Sequence, residues 1–269
     1  MSLPMDGSVP RTSPQNDNAA KSHTELSQTF IRGMAVLKLF DATRTHLSLA
    51  DVARLSGLDR AVARRLTLTL EHLGYLKRDS RVFSLTPKVL VLAGGFLQGH
   101  QFGTVVQPVL ETHSKDLGES ISLAMIDEQD AVYVAQAMSG RNRVSFGFTL
   151  GSRLPLLQTA IGRALLSIAD PAFVENATIS APVEAFTKAS IVDRCQLATR
   201  IQEAQDLGYA LVTSEFEAGV TGMAMPVHAA SGAIMAIGIS AIQQKFTDEK
   251  HEQSLEVLRD CSRALASAT

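Results

Sequence analysis

Only two cysteines, Cys195 and Cys261, occur among the 269 residues, far apart and outside any CxxC pair. A chain of this length without a cysteine framework fits a reducing cytosol, so a cytoplasmic location is expected. No apolar run approaches the roughly 20 residues needed to cross a bilayer, and no membrane partner is expected. The first 24 residues are rich in Pro, Ser, Asn and Asp and lack an apolar stretch. They read as a disordered arm, not a secretory signal. The marks of catalysis are also missing. The seven histidines form no HExxH and no close His/Cys cluster, and no GxSxG occurs. An enzyme is not expected, nor any cofactor or resident metal.

What is present is enough apolar sequence, 45% against 19% charged, to build a sizeable core. The length suits two domains. Charge is divided unevenly between them. Residues 25–95 hold eleven Lys/Arg against six Asp/Glu, while residues 96–269 hold twelve against nineteen. A basic third beside an acidic remainder suggests a segregated module for a polyanion.

The basic third carries three helical patterns. FIRGMAVLKLF at 30–40 has apolar residues near helical spacing. Ser48 is placed to cap a short second helix, with Asp51 answering it as a capping-box acid and Gly57 allowing the left-handed exit. Asp59 caps a third helix running to Leu73–Gly74. Two helices joined by a glycine turn are the helix-turn-helix layout. On the third helix Val62, Leu66, Leu70 and Leu73 form an apolar stripe. Arg60, Ala61, Arg64 and Thr67 fall opposite it, where a recognition helix presents side chains to the major groove. Arg65, at the stripe's margin, is expected to hold phosphate or to pack and not to read a base. Residues 75–85 then read as two short strands around a polar turn bearing Lys77, Arg78 and Arg81. This basic wing would contact phosphates or the minor groove. Ser48 joins these residues as a candidate DNA contact. The partner implied is double-stranded DNA. A further helix from Pro87 to about 100 reads as a linker, with Gly94–Gly95 as a flexible point.

The remainder predicts helices at 104–117, 160–168, 194–207 and 248–266 and six strands at 120–126, 131–137, 144–148, 209–213, 222–227 and 234–242. That composition argues for an α+β domain with a mainly antiparallel sheet, similar to the GAF/PAS-like shape of small-molecule sensors. The segment GSRLPLLQTAIGRALL at 151–166 offers the best ligand site. Thr159 can cap a helix whose first free amides, at Ala160, Ile161, Gly162 and Arg163, would hold an anion, and Gly162 would leave room for a carboxylate. Candidate walls are Met125, Phe146, Phe148, Leu156, Met223 and Met225. Glu215 and Ser240 are candidate polar groups, and Arg143 or Arg153 could add positive charge.

Together, IRGMAVLKLF, LSLADVARLSGLDRAVARRLTLTLEHLGYLKRD, GESISLAMIDEQDAVYVAQ, GSRLPLLQTAIGRALL and GYALVTSEFEAGVTGMAMPV resemble the IclR family of bacterial transcription factors, from about Phe30 onward. Beyond the arm at 1–24, the resemblance implies a winged helix-turn-helix at 25–86, a linker helix at 87–100 and an effector domain at 101–269. It also implies a homodimer or tetramer on a palindromic operator, meeting RNA polymerase if the regulator activates. Its effector cavity carries onto Thr159, Ala160, Ile161, Gly162, Met223 and Ser240. Val212 stands where the family often has an acid, and Gly222 where some members have cysteine, which argues against carbohydrate-like or glyoxylate-type effectors. A narrower resemblance is to regulators of aromatic-acid catabolism through the β-ketoadipate pathway. It implies an aromatic acid or dicarboxylate as the small organic-acid effector. Two other readings stay open: a metal sensor using His113 or His228, perhaps with Glu215, and a constitutive DNA-binding protein whose second domain only dimerises.

Overall fold

A computed structural model of the chain describes residues 26–138 and 149–269. The expected arm at 1–24, the strand at 144–148, Arg143, Phe146 and Phe148 lie outside the described residues. The chain divides into two compact units, one up to Ala93 and one from Gly94.

In the first unit, α1 (Gln28–Leu37), α2 (Leu49–Ser56) and α3 (Arg60–His72) precede a small antiparallel sheet of β1 (Leu47–Ser48), β2 (Leu76–Asp79) and β3 (Val82–Leu85), in the order β1-β3-β2. The helix boundaries follow local chemistry. Ser48 and Asp51 form the reciprocal capping box, Gly57 leaves α2 at φ 68°, and Asp59 accepts from the amides of Ala61 and Val62. Val36, Phe40, Leu47, Val52, Ala53, Ala63, Leu66, Leu70, Leu76 and Phe83 pack into one core. Strand β1 was not anticipated. Two residues are too few for a periodic pattern, but pairing Leu47 with Phe83 ties the start of α2 to the wing.

Helix α4 (Lys88–Gly99) is continuous through Gly94 and Gly95. The second unit continues with a π-helical turn (Phe102–Val106) and α5 (Gln107–Leu117). Strands β4 (Ile121–Asp127), β5 (Asp130–Ala137) and β6 (Arg153–Pro155) follow, then α6 (Ala160–Leu166), α7 (Pro171–Ser180) and α8 (Arg194–Leu207). Strands β7 (Ala210–Thr213), β8 (Val220–His228) and β9 (Ile234–Ile242), and α9 (Asp248–Ala268), complete it. Six strands form one antiparallel sheet in the order β6-β5-β4-β9-β8-β7. Among the described residues its sixth strand is Arg153–Pro155, where the sequence pattern had pointed to 144–148. Helix α7 was also missed, its pattern of buried residues reduced to Ala177.

Because strand side chains alternate, the sheet has two unlike faces. Ile121, Leu123, Met223, Met225, Val227, Met235, Ile237 and Ile239 point to α5 and α9 and meet Leu110, Leu258, Cys261 and Leu265. The opposite face is built from small residues, including Ala124, Ala131, Ala224 and Ala236. It receives α6 and α8 through Ile161, Ala164, Leu165, Leu197 and Ile201. Small side chains let α6 approach the sheet closely: a Cβ on Gly222 would stand 3.3 Å from that of Ala160. Where a short helix crosses a floor of glycine, alanine and serine, a gap can persist that larger residues would fill.

Candidate functional site

The residues expected to contact DNA lie in the first unit. Arg60, Ala61, Arg64 and Arg65 are exposed on α3, and Lys77, Arg78 and Arg81 are exposed on the wing. Arg78 leans back toward α3, its Nε 3.3 Å from Glu71 Oε1 and its guanidinium over the Phe83 ring. Two expected contacts are corrected. Thr67 is fully buried, its hydroxyl donating to the Ala63 carbonyl at 2.8 Å. The buried stripe is Ala63, Leu66, Thr67 and Leu70, turned from the expected one, and Leu73 is nearly half exposed. The turn has a physical reason: Ala63 is small enough for close packing, and a hydroxyl bonded to its own helix costs little to bury. The same rotation brings Arg65 into the open. Ser48 is the second correction. Its hydroxyl donates to Asp51 at 2.7 Å and accepts the Asp51 amide, so its bonding capacity is engaged in the cap. Lys88 was not foreseen. Its ammonium donates to the Leu73 carbonyl at 2.7 Å, closing the C-terminus of α3, where a cation meets the negative end of the dipole.

The second unit holds a cavity of about 60 Å³ between α6 and the sheet. Ala160 and Ile161 form one wall. Gly222, Ala224, Gly238 and Ser240 form the floor, Tyr133 and Leu154 one end, and Phe216, Glu217 and Val220 the other. Thr159 caps α6, accepting the Gly162 amide at 3.1 Å and donating to the Pro155 carbonyl at 2.7 Å. Its hydroxyl is thus engaged, while the amides of Ala160 and Ile161, in the first turn, have no acceptor within the helix. The Ser240 hydroxyl lies on the cavity floor. Burial pushes the Tyr133 phenol above its usual range. No lysine or arginine stands among the described lining residues.

Six expected contacts are placed elsewhere. Met125 follows Ile121 and Leu123 onto the α5/α9 face, and Met225 lies on that face too. Leu156 packs in the core behind α6. Gly162 faces the Leu156 backbone, not the cavity: a Cβ there would overlap the Leu156 carbonyl and stand 2.5 Å from its Cα. The glycine therefore serves the close return of the chain before the helix. Arg153 is held by Asp127 at 2.5 Å and Asp130 at 2.8 Å across the β4–β5 turn. Glu215 takes both terminal nitrogens of buried Arg163, at 3.1 and 2.6 Å. Met223 lines the cavity, but its side chain belongs to the opposite core, as alternation requires. Thr159, Ala160, Ile161 and Ser240 are brought together as expected. Tyr133, Phe216, Glu217, Gly222 and Gly238 were missed as lining residues. Small residues on alternate positions of β8 and β9 are a signal that could have marked Gly222 and Gly238, while no such pattern marks Tyr133, Phe216 or Glu217. For the metal reading, no three His, Cys, Asp or Glu side chains gather among the described residues, and Glu215 already has its partner.

Comparison with known proteins agrees with both halves. Residues 30–80 match the model of the IclR helix-turn-helix domain, and residues 95–267 that of the bacterial transcriptional regulator IclR C-terminal domain. The Pca regulon regulatory protein of Pseudomonas putida is 32% identical over 87% of this chain and 81% of its own. The p-hydroxybenzoate hydroxylase transcriptional activator of Acinetobacter baylyi is 31% identical over 87% of this chain and 89% of its own. An IclR homologue from Microbacterium hydrocarbonoxydans, solved with 4-hydroxybenzoate, shares the fold at 22% identity and a TM-score of 0.74, covering 90% of this chain and 98% of its own. A winged helix-turn-helix followed by this six-stranded domain, matched along nearly its whole described length, places the chain in the IclR family of DNA-binding transcriptional regulators.

Proposed function

We propose that operator binding by this regulator is controlled by a small organic acid, an aromatic acid or dicarboxylate of a catabolic pathway, held in the cavity at the start of α6. The observation that carries the reading is the cavity's composition. It is apolar on most sides, and its lining includes Ser240 and the first-turn residues Ala160 and Ile161 of α6, whose amides have no acceptor within the helix. Such donors suit a carboxylate without requiring a cation. The relative whose name refers to p-hydroxybenzoate hydroxylase and the fold neighbour solved with 4-hydroxybenzoate support an aromatic acid.

Size adds a condition. About 60 Å³ holds a few water molecules, whereas an apolar cavity of about 150 Å³ is needed to take up benzene. Full enclosure of an aromatic effector would widen the cavity, and such a movement would couple binding to the rest of the protein. Helix α4, continuous across the boundary of the two units, is the proposed transmitter. A homodimer or tetramer on a palindromic operator is favoured by exposed apolar side chains: Leu26, Phe30, Ile31 and Met34 at α1, and Leu90, Val91 and Leu92 on α4.

Titration of purified protein with 4-hydroxybenzoate and with straight-chain dicarboxylates, by calorimetry and by operator-binding assay, tests the reading. Ser240→Ala should weaken the bound acid about ten- to hundredfold, the range of one hydrogen bond to a charged group. A mutant that binds the best acid as tightly as the parent would place the effector elsewhere.

A further inference from the structure

We infer that the Arg163–Glu215 ion pair sets the width of the effector cavity and so selects effectors by size. Arg163 lies on α6 three residues after Ala160, which forms one wall. Glu215 lies in residues 214–219, the connection between β7 and β8, directly before Phe216 and Glu217 at one end of the cavity. The pair therefore ties the helix that forms one wall to the segment that closes that end, and an entering ring that parts them must strain it.

Its geometry is that of a clamp. Both terminal nitrogens of Arg163 meet both oxygens of Glu215, at 3.1 and 2.6 Å, and Nε donates to the Leu157 carbonyl at 2.9 Å. All three guanidinium nitrogens are thus engaged, and the Arg163 side chain is 1% exposed. Water cannot readily replace the carboxylate there, so separating the pair is far costlier than at the surface. Beyond this pair Glu215 also feels the charge of Arg200, and neutral hydrogen bonds hold the connection. Thr187 and Ser190 donate to the Ser214 and Glu215 carbonyls at 2.6 Å each, and the Phe186 and Phe216 rings lie 4.8 Å apart. Left-handed residues stand at both ends of the connection, Ser214 at φ 56° and Gly219 at φ 77°. Such positions are where a segment swings with few changes elsewhere. The ion pair joins this segment to α6 and resists the swing.

This role rests on the cavity being the effector site, but its test needs no effector. In a Cys195→Ser background, Ser240→Cys places a thiol on the cavity floor. Its labelling is timed with a small reagent, methyl methanethiosulfonate, and a bulky aromatic one, dithiobis(2-nitrobenzoate). Glu215→Gln should raise the bulky-to-small rate ratio by about tenfold or more, because the shape is kept and the charge attraction removed. Arg163→Lys, which keeps charge but loses the fork, should fall between. Glu119→Gln, which breaks a pair with Lys250 at 3.7 Å, should leave the ratio unchanged. An unchanged ratio in Glu215→Gln overturns the inference. So does a rise matched by Glu119→Gln, or one accompanied by faster labelling of buried Cys261, since either reports general loosening. Failure here counts against the size gate, while failure of the acid titrations counts against the effector reading.

Discussion

Thr67 and Arg64 lie three residues apart on α3 and have opposite surroundings, one fully buried and one open to solvent. Replacing Thr67 by valine removes one neutral hydrogen bond to the helix's own backbone, worth about 1 kcal/mol, and keeps the volume. Operator affinity of the folded Thr67→Val protein should match the parent in a gel-shift titration. Arg64→Ala should lose discrimination between operator and mismatched sites, as loss of a base contact worth about 1–3 kcal/mol does. If Thr67→Val were the variant that lost specificity, the observed rotation of α3 would be wrong. Gly162 poses a similar choice between packing and recognition. A methyl group there would meet the Leu156 backbone, which cannot yield as a side chain can. Gly162→Ala should destabilise the second unit by about 2–4 kcal/mol, lowering its melting temperature by roughly 5–15 °C in circular dichroism. Unchanged melting with abolished effector binding would return Gly162 to the ligand site.

At the scale of elements, what could be read in advance was what is set locally. The caps at Ser48, Asp59 and Thr159 and the glycine exit at Gly57 depend on residues within a few positions, and all four stand where the pattern put them. Ser48→Ala, by the usual cost of an N-cap, should lower the first unit's stability by about 1 kcal/mol in urea unfolding. A null effect would mean the capping box contributes nothing in solution. What could not be read was set by partners distant in sequence. The face of α3 depends on what packs on Ala63, and the hydrogen bonding of Glu215 depends on Arg163, 52 positions earlier. The cavity itself is made by residues that are absent in bulk: Ser240 was a candidate polar group and Gly222 was marked by the resemblance, but Ala224 and Gly238 read as unremarkable strand residues until α6 is laid across them. Strand β6 has three residues and α7 one buried position, too little for periodicity to register.

At the scale of the molecule, the uneven division of charge decides how a chain of net charge −2 can bind a polyanion. Attraction must come from a local cluster, since the whole protein supplies none. Arg60, Arg64 and Arg65 on α3 and Lys77, Arg78 and Arg81 on the wing are that cluster, all of them exposed. Each phosphate neutralised releases condensed counterions and contributes about −0.9 to the slope of log affinity against log salt concentration. If all six side chains met phosphates, one module would give a slope of about −5, and any arginine reading a base instead would lower that figure. Lys77→Ala should make the measured slope shallower by about 1 and weaken operator and random DNA alike. Arg78, tied to Glu71 at 3.3 Å, must leave that pair to reach a phosphate, so Arg78→Ala should change the slope less than Lys77→Ala. Fluorescence anisotropy of labelled duplexes across a salt series measures both. Equal changes for the two variants would mean that the Glu71 pair dissolves on DNA, and no change for either would remove the wing from the interface.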